Sequence, residues 1–517
     1  MAHGTHHHEA LTEKVDLAPG TGGMLKLILL GVGVLGLAVA YGTSAFSDMP
    51  GHPGVSGIGR FYHAYLVSYA FVLSLALGGL FFTMMQHLVA AGWSVVVRRI
   101  AETMASALPL LAIGAIPILV TVLKQDAMLY PWAVDAHSIQ TGEHSEKTPG
   151  AAMTQAKPLP VQLAEAEPHA TGQAVAEAAK EGTAHEGGSA GEGHEKFGPA
   201  GDIDNSEIVS TPEETPGEHA TYAHKDTGEM THVKHGWLNT TFFAIRIVGY
   251  FVIWSLFAWY FYSQSKKQDA TGDYTITQRL RKISAPAIFF FALAVTFGAF
   301  DLLMSLDHHW YSTMFGVYFF AGAMIAQFAT IIIVAQVLQN AGYLRHSITR
   351  EHFHDLGKFM FAFIFFWGYV GFSQYMLQWY ASIPEATPWW SRRGATVASD
   401  VVNNIGYHSE FGPWSLLLLC GHFVFPFAYL LSRHVKRHRQ ALLIGAIWML
   451  AMHWVDMFWI VMPELDNGKF FLGLPEIGSA VGLISLFASY MIWKLGTAKL
   501  RPVGDPRLNE SLAFHNM

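Results

Sequence analysis

The sequence predicts an all-α membrane protein of ten transmembrane helices, and three observations carry that prediction. Ten apolar stretches each come close to, or exceed, the ~20 residues a helix needs to cross about 30 Å of hydrocarbon. Half of the 517 residues are apolar (51%) and only 14% are charged, which fits a membrane bundle better than a water-soluble core. Basic residues fall in alternate connections, as in a chain threaded back and forth through a bilayer.

The first stretch, roughly Met24–Phe46, is long for a cleavable signal, and no clear small-residue cleavage site follows it. Tyr62–Ala90 and Met104–Leu123 come next. After a long polar insert come Leu238–Tyr262 and Pro286–Leu306, then Thr313–Leu338, Leu356–Tyr380, Gly412–Leu431, Gln440–Met462 and Glu476–Trp493. The chain therefore divides into a tail at 1–22, spans one to three at 23–134, a loop at 135–236, spans four to ten at 237–495 and a second tail at 496–517. The 1–22 tail is mostly polar, carries His3, His6, His7 and His8, and is expected to be disordered. The 135–236 insert is rich in Gly, Ala, Glu, His and Thr and short of aromatics. It cannot bury enough surface to offset the entropy of ordering, and disorder is expected there too.

The net charge of −7 is unevenly spread. The segment from Lys124 to His235 holds 7 Lys and 19 Asp or Glu, a balance of −12, which leaves the rest of the chain at +5. Arg98 and Arg99, the group from Lys266 to Lys282, Arg345 to Lys358, Arg433 to Arg439 and Lys494 to Arg507 occupy alternate connections and the C-terminus. The positive-inside rule then puts both termini in the cytoplasm and the acidic loop in the periplasm.

The spans carry a weak internal repeat. Phe61–Trp93 and Tyr311–Tyr343 both open on aromatics and end in a small pair plus an aromatic, Ala91-Gly92-Trp93 and Ala341-Gly342-Tyr343. Arg246 and His422 fall in the third helix of each set, Asp301 and Asp456 late in the fourth. This predicts two four-helix bundles in parallel orientation, spans 2–5 and 6–9, flanked by spans one and ten.

Four spans hold ionisable residues away from their ends: Arg246, Asp301, His422, and His453 with Asp456. A charge inside hydrocarbon costs at least about 2.5–3.5 kcal/mol, so such residues need partners, water or a task. Helical rise puts them near the midplane or in the outer half, with Asp307, His308, His309 and Glu464 at the outer mouth. An Asp and a basic residue on neighbouring helices can pair as a structural lock. Carboxylate and imidazole can instead relay a proton, and His453 with Asp456, three apart on one helix face, offers a donor and an acceptor to a quinone head group. A haem b held by His422 and His453 competes for the same side chains. The inner half is poorer in polar groups: Thr83, Gln86, His87, Glu102, Tyr262 and Gln336. The lone Cys420 cannot hold an iron–sulfur cluster, and no Cys-x-x-Cys-His haem attachment site exists. No metal site and no nucleic-acid contact is expected in the membrane body.

The run Asp301–Thr313, DLLMSLDHHWYST, resembles the signature of the ActF-type, NrfD-like integral membrane subunits of alternative complex III, the second quinone-binding subunit of a quinol:cytochrome c oxidoreductase. Matching blocks include Ala91–Ser94, Phe242–Arg246, His354–Phe361, Phe372–Tyr375, Gln378–Tyr380, Phe423–Phe427, Leu474–Gly478 and Asp505–Arg507, spread over nearly the whole membrane body. The resemblance implies a subunit without redox centres, in a bacterial inner membrane, contributing proton translocation or quinone contact. It implies partners as well: a sister NrfD-like subunit, an iron–sulfur subunit and c-type cytochromes that hold the clusters and haems, with lipid around the whole. By the same analogy Asp301, Asp307, His309 and Asp456 fall in matching motifs. A purely structural scaffold and a free-standing transporter are the alternatives.

Overall fold

In a computed structural model the described residues are 13–18, 20, 22–46, 56–126, 128–133, 234, 236–394 and 409–515. By packing, the chain forms one unit of Met1–Ala151 with His224–Met517 and a second of Ala152–Ala223; the second lies wholly outside the described residues, as does nearly all of the 135–236 loop. The described part is all helical, and ten of its helices are long and apolar enough to cross a membrane: α1 Gly23–Ala45, α2 Gly57–Leu88, α3 Val95–Leu123, α4 Thr240–Thr271, α5 Tyr274–Leu306, α6 Phe315–Asn340, α7 Arg350–Tyr380, α8 Gly412–Leu431, α9 Arg439–Glu464 and α10 Leu474–Leu495. The protein is a multi-pass, all-α membrane protein.

Several helices outrun their apolar stretches, because hydropathy reports only the part in hydrocarbon. α4 and α5 continue until a two-residue turn separates them. Gly272 at φ 63° ends α4, and the Asp273 side chain caps α5 by accepting from Thr275 N at 2.8 Å. α3 begins at Val95, so Arg98 and Arg99 lie on a helix rather than in a connection. Further along α3, Pro109 and Pro117 interrupt the ladder. Carbonyls at these breaks find donors on neighbouring helices: Tyr69 and Tyr65 hydroxyls reach Leu111 and Gly114, and Tyr490 reaches Ser106, each within 2.7 Å. In α8 the ladder switches to a π turn over Leu419–Val424, immediately before Pro426, whose missing N–H cannot serve the His422 carbonyl four residues back.

α2, α3, α4 and α5 close one four-helix bundle, each packing on the next and α5 returning to α2. α6, α7, α8 and α9 close a second in the same cyclic order. The bundles join through α2 against α6. The contact of α5 with α6 has its counterpart in the contact of α9 with α2, as a parallel repeat requires. Small residues let the central helices approach closely: a Cβ on Gly78 would lie 2.6 Å from Gln327 Cβ, and one on Gly79 2.7 Å from the Ala101 carbonyl. α1 and α10 pair with each other and flank the body along α2.

One end of the helices, where α3, α5, α7 and α9 begin, carries most of the basic residues and both described chain ends. The C-terminal segment is packed there: Asp505 accepts from Arg98 at 2.5 Å and the Ser511 hydroxyl donates to the Trp93 carbonyl at 2.7 Å. Residues 13–18 depart from the disorder expected for the 1–22 tail. Glu13 accepts from the Ser347 hydroxyl at 2.7 Å, and the Val15 carbonyl from Leu500 N at 2.8 Å. Residues 1–12, which hold the tail's histidines, lie outside the described residues, as do 19 and 21.

Candidate functional site

The buried ionisable side chains gather into separate groups with different company. In the first bundle Arg246 of α4 grips Asp301 of α5 through two bonds, Nε to Oδ2 at 2.8 Å and Nη2 to Oδ1 at 2.9 Å. The Tyr250 hydroxyl adds a third donor at 2.9 Å and Trp237 Nε1 a fourth at 3.1 Å. The guanidinium donates to the Trp237 carbonyl at 2.8 Å and lies over the Trp237 and Phe242 rings. Asp301 sits where α5 tightens into the turn Met304–Leu306, which brings its carboxylate back toward α4. With a permanent cation and four donors this carboxylate is saturated, and the pair acts as a lock between two helices.

The second bundle puts a different constellation at the equivalent place. Asp456, His453 and His422 are all 0% exposed. Tyr318 of α6 donates to Asp456 Oδ1 at 2.5 Å, and Trp367 Nε1 of α7 to Oδ2 at 3.2 Å. His453 Nδ1 faces Oδ2 at 4.0 Å, while its Nε2 lies 2.8 Å from the Ser74 hydroxyl of α2. His422 rides on the π turn of α8. Its ring sits 3.9 Å from that of Trp367 and 6.4 Å from that of His453, and neither of its nitrogens meets a protein hydrogen-bond partner. Among the described residues no lysine or arginine pairs with Asp456. The site is therefore a buried carboxyl flanked by two imidazoles, three groups that each bind and release a proton.

Other uses of these side chains fit less well. The 4.0 Å from His453 Nδ1 to Asp456 Oδ2 is wider than the roughly 3.4 Å between donors of a tetrahedral zinc. A porphyrin between the two imidazoles would displace Trp367 and Tyr318, and His453 Nε2 is already engaged by Ser74. Trp454 and Trp459, which flank the His453–Asp456 face in the sequence, turn their indole nitrogens to Ser68 and Ser415.

Asp307, His308 and His309 do not join either site. At the end opposite the basic one Asp307 pairs with Arg392, which also reaches Glu464 at 3.1 Å. Arg393 lies 2.9 Å from Glu464 as a charge contact without hydrogen-bond alignment, and its guanidinium stacks 3.4 Å over Trp389. Burial is the largest single influence and would raise the Asp307 carboxyl, but the Arg392 guanidinium, the His309 backbone N–H and the two imidazoles together outweigh it and hold the group below the usual carboxylate range. Burial pushes the His308 imidazole down to about 4, and lowers Arg393 to about 10 against the pull of Glu464. The His308 and His309 rings lie against each other, tilted, with centroids 3.8 Å apart, and Lys234 donates to the His308 carbonyl at 2.5 Å.

Sequence reasoning missed the partners more than the sites. Tyr250, Tyr318, Trp367 and Ser74 carry no signal among so many apolar neighbours. Arg392–Arg393 beside Trp389–Trp390 was legible as a basic pair in a short outer connection. Arg98 and Arg99 read as loop charges. They form a buried network instead, Arg98 with Glu102 and Asp505, Arg99 with Asp269 and Glu102, joined by Ser265. The i,i+4 and i,i+3 spacing to Glu102 was the available clue. No protein-family model matches the chain, and no curated protein matches it significantly.

Proposed function

We propose that this chain is an NrfD-like membrane subunit of the ActF type in alternative complex III, without redox centres of its own, and that it handles protons at Asp456, His453 and His422. On this reading it sits in a bacterial cytoplasmic membrane with both termini inside. Its iron–sulfur and c-type haem partners are separate chains, and a sister NrfD-like subunit oxidises quinol. The observation that carries the proton role is the company of Asp456: a wholly buried carboxyl, held by two neutral donors and facing two imidazoles, with no lysine or arginine among the described residues to keep it charged. Proton handling is favoured over quinone contact because all three titratable groups are enclosed by Tyr318 and Trp367. The motif run from Asp301 to Thr313 and the lone Cys420 support the family assignment.

The saturated Arg246–Asp301 pair favours the scaffold reading for the first bundle alone. The test is Asp456→Asn in the assembled complex from native membranes. Proton release coupled to quinol oxidation should drop while the complex assembles normally. Wild-type coupling in that variant would falsify the proton role, and isolation of the chain without haem-bearing partners would favour a free-standing transporter.

A further inference from the structure

We infer that Ser74, reaching across from the first bundle, holds the proton of His453 on Nε2 and thereby turns a bare Nδ1 lone pair toward Asp456, which keeps that carboxyl protonated. The inference rests on the proton-handling reading above. Ser74 Oγ lies 2.7 Å from the Phe71 carbonyl and 2.8 Å from His453 Nε2. A carbonyl only accepts, so the single hydroxyl proton goes to Phe71 and Nε2 must be the donor to Ser74. A neutral imidazole carries one N–H, so Nδ1 is then a bare lone pair.

Among the described residues that lone pair has no hydrogen-bond partner, and it faces Asp456 Oδ2, 4.0 Å away in a fully buried site. The separation is too long for a hydrogen bond, but a lone pair facing a carboxylate in a poorly screened interior is repulsive, and protonating the carboxyl removes that repulsion. The surroundings hold this arrangement in register. Tyr318 and Trp367 fix the carboxyl. Gly322 of α6 makes room for the ring: a Cβ there would sit 2.8 Å from His453 Cε1 and 3.1 Å from Nδ1. The titratable groups facing His453 are Tyr318 from α6, His422 from α8 and Asp456 on its own helix. From α2 come Ser74 and Phe71, and from α7 Trp367. His422, whose nitrogens meet no partner among the described residues, is the next acceptor for the carboxyl proton. Ser74 is a positioning residue, and through it the first bundle sets the proton state of the second.

Infrared difference spectroscopy of the assembled complex reads the carboxyl proton directly. Asp456→Asn identifies the protonated-carboxyl band by removing it. Ser74→Ala frees the imidazole to carry its proton on Nδ1, where it faces and stabilises the carboxylate, so the band at neutral pH should fall to less than about half of wild type. Ser74→Thr keeps the hydroxyl and should restore it. A wild-type band in assembled Ser74→Ala overturns the inference while leaving the proton role intact. A spectrum unchanged by Asp456→Asn overturns the proton role itself. Nitrogen-15 spectra of histidine-labelled wild-type complex, with the His453 signal assigned by its loss in His453→Gln, need no Ser74 variant. An Nε2–H tautomer is expected, and an Nδ1–H tautomer overturns the inference.

Discussion

Asp301 and Asp456 are buried alike but differ in what replacing them leaves behind. Asp301→Asn strands Arg246 inside the bundle, and losing one partner of a buried ion pair costs about 3–5 kcal/mol. Thermal unfolding of the detergent-solubilised protein should show that loss, and Arg246→Met combined with Asp301→Leu should recover most of it. Asp456→Asn strands no cation, and its amide oxygen can still accept from Tyr318, so stability should stay within about 1 kcal/mol of wild type. A large loss there would mean that Asp456 is structural after all. The α5–α6 connection should respond to acid. Asp307 has a depressed folded pKa, so its stabilisation is present above the unfolded carboxylate range and lost as pH falls through the folded value. His308 is held neutral, with a folded value of about 4 against 6.5, so the fold loses stability as pH falls from 6.5 toward 4. Both act in the same direction, His308 between pH 6.5 and 4 and Asp307 below 3.8, so protection factors over residues 307–314, with the intrinsic pH dependence of exchange divided out, should fall as pH drops from 6.5 toward 4. Protection factors that stay flat there would contradict the burial of His308.

At the scale of elements, the helices were legible and their irregularities were not. Hydropathy located all ten spans, because an unbroken apolar run has no other stable home. It could not show that α3 starts at Val95 or that α4 and α5 run on to a two-residue turn, since those ends are stabilised by caps and ion pairs outside hydrocarbon. Pro426 was visible in the sequence, but the π turn before it depends on which carbonyls the neighbouring helices can satisfy. One of these is Gly421, bonded by Trp448 Nε1 at 2.7 Å. Pro426→Ala returns a donor to the His422 carbonyl and lets the turn relax to α-helix, which rotates His422 away from Trp367 and His453. Coupled proton release should fall by at least about tenfold with the complex still assembled, because relay groups tolerate little misplacement. Unchanged coupling would remove His422 from the relay.

At the largest scale, the described residues form a pair of bundles with a flank that packs on their side. In α2's most apolar window 94% of residues are buried inside the structure, against 11% in that of α1. α1 is held mainly through glycines: a Cβ on Gly36 would sit 2.9 Å from the Gly478 carbonyl and from Gly482 N. Gly36→Leu should therefore part α1 from α10 and leave the two bundles folded. Disulfide trapping between cysteines placed on α1 and α10 should fail in that variant, while the melting of the remaining helices is preserved; joint collapse would show that the flank is part of the core. The two-bundle arrangement was legible from the repeat, down to Arg246 matching His422 and Asp301 matching Asp456. The exchange of roles between those positions was not, because a basic residue opposite an aspartate reads the same whether it locks a pair or relays a proton.

The sequence alone determined that this is a ten-helix membrane protein and which ionisable residues lie within its hydrocarbon depth, because both follow from the free energy of transfer summed along the chain. Only the tertiary structure decided which of those residues meet. Tyr318, Trp367 and Ser74 come to Asp456 and His453 from three other helices, and long-range packing geometry leaves no trace in local periodicity.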